Sequence, residues 1–239
     1  MLIPDIELSW ESIEAIGRIP VPNGGVEMKT EKEIREEIAA YGGLVYAQGL
    51  ASGASGNLSA RVDEDHILVT PSGCHKGMLH AADLLLYNMK TCQTAGETKI
   101  KPSSEIRMHT YVYRHRPDVQ AVIHAHPPYV VALSVAGISL AEVVLPEVVL
   151  AIGAIVDCGY ATPTTEDVVQ VMKQPVQEGR NALILARHGS VTLGKTMQEA
   201  FCRLETVEHV AKVTAIARSI GKISILPQEE INKLKKLTS

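Results

Sequence analysis

The chain has 239 residues, of which 46% are hydrophobic and 4% aromatic, and its formal charge is −4 at pH 7. That length buries a sizeable core and fits one domain with a terminal extension. The charge excludes the broad basic field that nucleic acid needs, and the sparse aromatics exclude a base-stacking surface, so any anion must be held by a local site.

Residues 1–28 read as an N-terminal extension, punctuated by Pro4, Pro20, Pro22, Gly24 and Gly25, with one amphipathic stretch from Trp10 to Ile16. Thr30 and Glu33 form a capping box, opening a helix with Ile34, Ile38, Tyr41 and Val45 at core spacing. Gly53 to Gly56 break it. Strands follow at 57–62 and 66–69, then a loop at Thr70-Pro71-Ser72-Gly73, a strand at 84–89 and a polar hairpin at 91–98. Ser103-Ser104 cap a helix running to about His115, and a strand covers 119–126 until Pro127 and Pro128 end it. A helix spans 129–136, Thr164-Thr165-Glu166-Asp167 cap another, a strand lies at 182–185, and the longest helix runs from Thr196 to Ile220 before Gly221. Residues 223–239 are a C-terminal tail. The mixture of helices and strands, with hairpins early, predicts a single-domain layered α/β/α fold around a central, largely antiparallel sheet. The apolar runs near 130–135 and 143–156 are interrupted by Glu142, Pro146, Glu147 and Asp157, so no membrane span is expected. Cys74, Cys92, Cys158 and Cys202 form no CxxC pair and no leader pattern is visible, which together point to free thiols in the cytoplasm.

The most informative motif is His124-Ala125-His126. Side chains two apart on a strand share a face, so two imidazoles at a strand rim form half of a metal site; the bland alternative is one core histidine and one exposed one. Four further motifs carry weight together. Gly56-Asn57 allows close backbone approach and supplies an amide. Ser72-Gly73 could form an anion nest. Ser103-Ser104-Glu105 joins two hydroxyls to a helix start, which attracts phosphate, and Glu105 is either an ordinary first-turn acid or a base beside a metal. His188-Gly189, after a strand, can complete a tri-His set. His109, His115 and His209 read as surface or satisfied helix residues, and His75 with Lys76 lies close enough to the nest to touch an anion.

In order, Ser55-Gly56-Asn57-Leu58-Ser59, Thr70-Pro71-Ser72-Gly73, Pro102-Ser103-Ser104-Glu105, His124-Ala125-His126, Tyr160 to Thr165 and His188-Gly189 resemble the class II aldolase/adducin family, over residues 30 to 220 or so. The resemblance implies a Zn²⁺ on His124, His126 and His188, with Mn²⁺ or Co²⁺ as substitutes. It also implies Glu105 as catalytic acid/base, and Asn57, Ser72, Gly73, Ser103 and Ser104 as ligands of a substrate phosphate. The implied reaction is cleavage of a ketose 1-phosphate to dihydroxyacetone phosphate and an aldehyde through an enediolate, in a cytoplasmic C4 homotetramer. Glu105 matches the aldolase branch, where epimerases carry aspartate. Two departures stand out. Leu145 occupies the place of a family tyrosine that protonates the aldehyde oxygen, and Tyr160 is the last tyrosine of the chain, so a second family tyrosine has no counterpart. Glu142, Glu147 or water could substitute. A decarboxylase, epimerase or dehydratase of the same family is the alternative within the class, and a non-catalytic adducin-like interaction domain the alternative outside it.

Overall fold

A computed structural model describes residues 29–96 and 98–237. The proposed extension, with its Trp10 to Ile16 stretch, lies outside the described residues. Helix α1 (Glu31–Ala47) opens on the expected capping box: Thr30 N donates to Glu33 Oε2 at 2.7 Å, and Glu33 N donates to Thr30 Oγ1 at 3.3 Å. Ile34, Ile38 and Val45 are buried on one face, as their spacing requires.

Eight strands form one sheet: β1 (Asn57–Arg61), β2 (His66–Val69), β3 (Leu85–Asn88), β4 (Gln93–Thr94), β5 (Ala121–Ala125), β6 (Ile155–Cys158), β7 (Ala182–Leu185) and β8 (Gly189–Gly194), in the order β4-β3-β2-β1-β5-β8-β7-β6. Every neighbouring pair is antiparallel except β6 with β7. That pair is joined through helix α4 (Glu166–Gln177), since parallel strands need a crossover connection. The remaining helices are α2 (Ile106–His115), α3 (Pro128–Val135), α5 (Met197–Ile220) and α6 (Gln228–Leu237).

Helices cover both faces of the sheet. Leu58, Ala60, Ala121, Ile123 and Ala125 pack with α1 and the start of α5 on one face. Val122, Leu183, Leu185, Val191 and Leu193 pack with α2 and α4 on the other. A third cluster joins α3, the residues 148–152 and the middle of α5 to Ile155, Ala182 and Ile184. Alternation along β5 therefore turns His124 to the α2 side, together with Val122.

Four elements differ from expectation. Strands β6 and β8 and helix α6 went unread in the sequence. In β8 all six residues, Gly-Ser-Val-Thr-Leu-Gly, are buried, so the alternation that marks a half-exposed strand is absent. The 223–239 segment holds α6, and Leu226 N donates to Val143 O at 2.8 Å. Helix α2 starts one residue later than expected: Glu105 is its N-cap, and Ser103 Oγ accepts from Glu105 N at 3.3 Å. No helix among the described residues is long and apolar enough to cross a membrane.

Candidate metal centre

His124 is the next-to-last residue of β5, and His126 lies one residue beyond its end. The chain is pinned there by His126 N donating to Leu50 O at 3.0 Å before Pro127 and Pro128 turn it into α3. His188 sits in the tight β7–β8 turn, where His188 N donates to Leu185 O at 3.0 Å and Arg187 takes a left-handed φ of 60°. Pairing of β5 with β8 sets Ala125 opposite Ser190, which brings that turn to the histidine end of β5. Gly189 makes the approach possible: a Cβ there would run into Ala125 O and lie 2.8 Å from His126 Cδ2. Gly56 does the same just before β1, since its φ is +74° and a Cβ would stand 2.8 Å from His124 O.

The three imidazoles form a propeller. Ring centroids are 4.8, 4.7 and 4.9 Å apart, and ring planes meet at 67°, 63° and 65°. Glu105 Oε2 lies 3.2 Å from His124 Nε2, Glu105 Oε1 lies 3.3 Å from His188 Nε2, and His126 Nε2 is 2.9 Å from His124 Nε2. One ligand atom from each of these four residues lies within 4.8 Å of all the others. His124 Nδ1 donates to Ser190 O at 2.9 Å, which fixes the tautomer and leaves its Nε2 lone pair facing the other rings.

Electrostatics favour the ligand forms. Burial, then the charge of His124, push His126 and His188 down to about 4, so both are neutral at pH 7. Burial raises the Glu105 carboxyl, but the His124 hydrogen bond, the charges of His124 and His188 and the Asn57 amide outweigh it and bring it to about 2. Glu105 Oε1 is buried with no hydrogen-bond partner. Three imidazoles and a carboxylate converging on one point, with an orphaned carboxylate oxygen, fit a divalent cation.

The phosphate-site candidates converge beside this cluster. Ser103 N donates to Thr70 O and Ser72 N to Lys101 O at 3.1 and 2.9 Å, with Pro71 bridged to Pro102, so the two hydroxyl-bearing loops run side by side. Asn57, Ser72, Gly73, Ser103, Ser104 and Glu105 line one cavity of about 340 Å³ with His126 and His188. Pro163 and Thr164 close it from the α4 side, Thr164 with a left-handed φ of 69°. His75 and Lys76 do not line it. Lys76 is buried behind the loops, where Nζ donates to Cys74 O and Ala54 O at 2.7 and 3.2 Å, and His75 packs on Tyr46. Leu145 packs in the third cluster, and neither it nor Glu142 nor Glu147 lines the cavity.

Sequence reasoning left His109 as a surface or satisfied helix residue. It is satisfied, and it is fully buried: it sits between Asn57 and Ser59 on β1. The available signal was the four-residue spacing of Glu105, His109 and Tyr113 along one face of α2.

Residues 36–215 match the family model described as Class II Aldolase and Adducin N-terminal domain. The chain is 32% identical over 211 residues to 5-deoxy-D-ribulose 1-phosphate aldolase of Bacillus thuringiensis serovar kurstaki, covering 87% of this chain and 96% of that one. It is 30% identical over 215 residues to 3-oxo-tetronate 4-phosphate decarboxylase of Pectobacterium atrosepticum, covering 87% and 94%. A solved L-fuculose 1-phosphate aldolase superposes with a TM-score of 0.78 at 28% identity, over 89% of this chain and 99% of that one. The four-group cluster, the paired loops and these likenesses agree: the chain belongs to the class II aldolase/adducin family.

Proposed function

We propose that the protein is a divalent-metal-dependent lyase that cleaves a ketose 1-phosphate to dihydroxyacetone phosphate and an aldehyde. The observation that carries this reading is Glu105, placed where the His124–His126–His188 propeller meets the Ser72–Gly73 and Ser103–Ser104 loops in one cavity. In this reading His124, His126 and His188 hold the ion, with Zn²⁺ the best match to an imidazole set and Mn²⁺ or Co²⁺ compatible. When bound, the ion supplies Lewis acidity to the ketone and a neighbouring hydroxyl of the substrate.

The residues of the chain do the rest. Asn57, Ser72, Gly73, Ser103 and Ser104 receive the phosphate, which fixes the reacting carbons beside Glu105. In cleavage, the hydroxyl beyond the scissile bond gives up its proton to solvent as the bond's electrons pass to the ketone side. Glu105 takes up a proton from solvent and delivers it to the resulting enediolate carbon, and removes it in the synthetic direction. The family likeness further supports a cytoplasmic homotetramer; light scattering at four times the 25.8 kDa chain mass would bear on the assembly.

A second reading rests on the cavity wall. No tyrosine lines the cavity, and Tyr160, the last in the chain, is exposed. The hydroxyl that becomes the aldehyde oxygen needs a group to take its proton in cleavage and return it in synthesis, whereas release of CO₂ from a carboxylate needs neither. Loss of CO₂ from a 3-oxo-tetronate 4-phosphate leaves the same three-carbon ketone phosphate through the same enediolate, and uses Glu105 in the same way.

The deciding experiment incubates the metal-loaded protein with 5-deoxyribulose 1-phosphate, fuculose 1-phosphate and 3-oxo-tetronate 4-phosphate. Dihydroxyacetone phosphate with an equivalent of aldehyde is the expected outcome. Dihydroxyacetone phosphate with CO₂ moves the assignment to the decarboxylase. No product, with no metal in the purified protein, returns the non-catalytic adducin-like domain.

A further inference from the structure

Behind the metal centre, helix α2 and strand β1 are joined by polar side chains that alternate between them. Tyr113 O–H donates to Ser59 O at 2.9 Å and lies 2.9 Å from Ser59 Oγ. Ser59 Oγ is 2.6 Å from His109 Nδ1, His109 Nε2 is 2.5 Å from Asn57 Oδ1, and Asn57 Nδ2 donates to Glu105 Oε2 at 2.9 Å. The chain thus runs Tyr113, Ser59, His109, Asn57, Glu105, crossing at each step from helix to strand or back. Its regularity has a metric cause. Four helical residues rise about 6 Å and two strand residues about 6.7 Å, so positions 105, 109 and 113 mesh with positions 57 and 59.

From Ser59 to Glu105 every proton in this chain has a forced direction. Glu105 as a carboxylate only accepts, so the Asn57 amide must turn Nδ2 toward it and Oδ1 away. Oδ1 only accepts, so His109 carries its proton on Nε2. His109 Nδ1 is then an acceptor, and Ser59 must donate to it. His109 is fully buried and no carboxylate touches it, so it stays neutral; burial, then the charge of His124, push it down to about 3. From Ser59 onward the donors point toward Glu105, while Tyr113 gives its one proton to Ser59 O, and hydrogen bonds in such a chain polarise one another.

We propose that His109, held by Ser59 and Tyr113, is a positioning residue that locks the Asn57 carboxamide onto Glu105 and so fixes the carboxylate against the imidazole propeller. This gives Asn57 a second task beside the phosphate role assigned above, and it rests on the proposed reading of Glu105 as the proton-transfer group. A merely structural zipper would register α2 on β1 and leave Glu105 indifferent to which atom faces it.

The test compares His109→Gln, which keeps a donor and an acceptor in similar places, with His109→Leu, which fills the space without either. Two quantities are measured on the full-length protein. The first is solvent-deuterium exchange into dihydroxyacetone phosphate, which needs proton transfer and no aldehyde. The second is the Asn57 side-chain amide signal by NMR in the metal-free protein. His109→Leu is expected to lose about tenfold or more in exchange rate at saturating substrate with metal content unchanged, as misplacement of a reacting group does. His109→Gln is expected to stay within about threefold of the parent, and the protected Asn57 amide signal to persist in it and vanish in His109→Leu. Should His109→Leu not fold, Ser59→Ala removes one hydroxyl and is expected to give a smaller loss in the same two measurements. Exchange unchanged in His109→Leu, or lost equally in His109→Gln, overturns the proposal. Absence of exchange in the parent protein sinks the reading of function instead, and the Asn57 signal then decides the zipper by itself: present in all variants, it overturns it.

Discussion

Glu105 answers to several neighbours at once. One carboxylate oxygen takes the Asn57 amide and faces His124, while the other, without a hydrogen bond, faces His188. Its carboxyl, brought to about 2, is ionised in the resting site, the form that accepts the carbon proton in the synthetic direction. Glu105→Gln preserves the shape and the three histidines. It is expected to retain metal and to lose about 10²-fold or more in turnover, checked by elemental analysis beside an assay for dihydroxyacetone phosphate. Turnover near that of the parent would remove Glu105 from the chemistry. At this scale much of the cluster was legible: His-Ala-His at a strand end, Glu105 after two serines and His188 before a glycine each carry a mark. His109 was not, because a histidine at helical spacing reads equally well as solvated or buried, and only its register with Glu105 and Tyr113 distinguishes the two.

The elements that matter most are the strand ends. Register places Asn57 opposite His124, and Ala125 opposite Ser190. A one-residue slip of β5 would turn His124 to the α1 face. Gly189 guards the second of these pairings, because a side chain there collides with the Ala125 carbonyl and the His126 ring. Gly189→Ala is therefore expected to destabilise the protein by about 1–3 kcal/mol through overpacking and to weaken metal binding, read from urea midpoints with and without added Zn²⁺. An unchanged midpoint would mean that the strands part without cost. Strand β5 was readable because prolines bound it. Strand β8 was not, because burial on both faces leaves no alternation and its terminal glycines look like loop. Strand β6 carries Asp157 inside an apolar stretch that suits helix and strand alike.

At the scale of the whole molecule, the buried histidines make the metal-free protein acid-sensitive. His126 and His188 titrate at about 4 and His109 at about 3 in the folded state, against 6.5 ordinarily. Below pH 6.5 the unfolded chain binds protons that the folded chain refuses, so stability falls with pH through that window. Glu105, lowered from 4.5 to about 2, adds a loss of the same sign below pH 4.5. The melting temperature of the metal-free protein is expected to decline steadily from pH 6.5 to 4, by calorimetry; a flat profile would contradict the neutral, buried state of these rings. The layered α/β/α arrangement was legible from the order of elements, since caps and turns punctuate the chain. The one parallel pair was hidden because β6 went unread, and with it the crossover through α4.

The β5–β8 pairing also sets when the site comes into being. His188 lies more than sixty residues along the chain from His126, and only the closed central ladder brings the two together. Contacts between segments so distant in sequence carry a loop-closure cost that local contacts do not. A cation therefore finds its third imidazole only once β5 and β8 are paired. It deepens the native well and holds the sheet's centre shut against opening, while the route by which the chain first reaches that sheet is taken without its help.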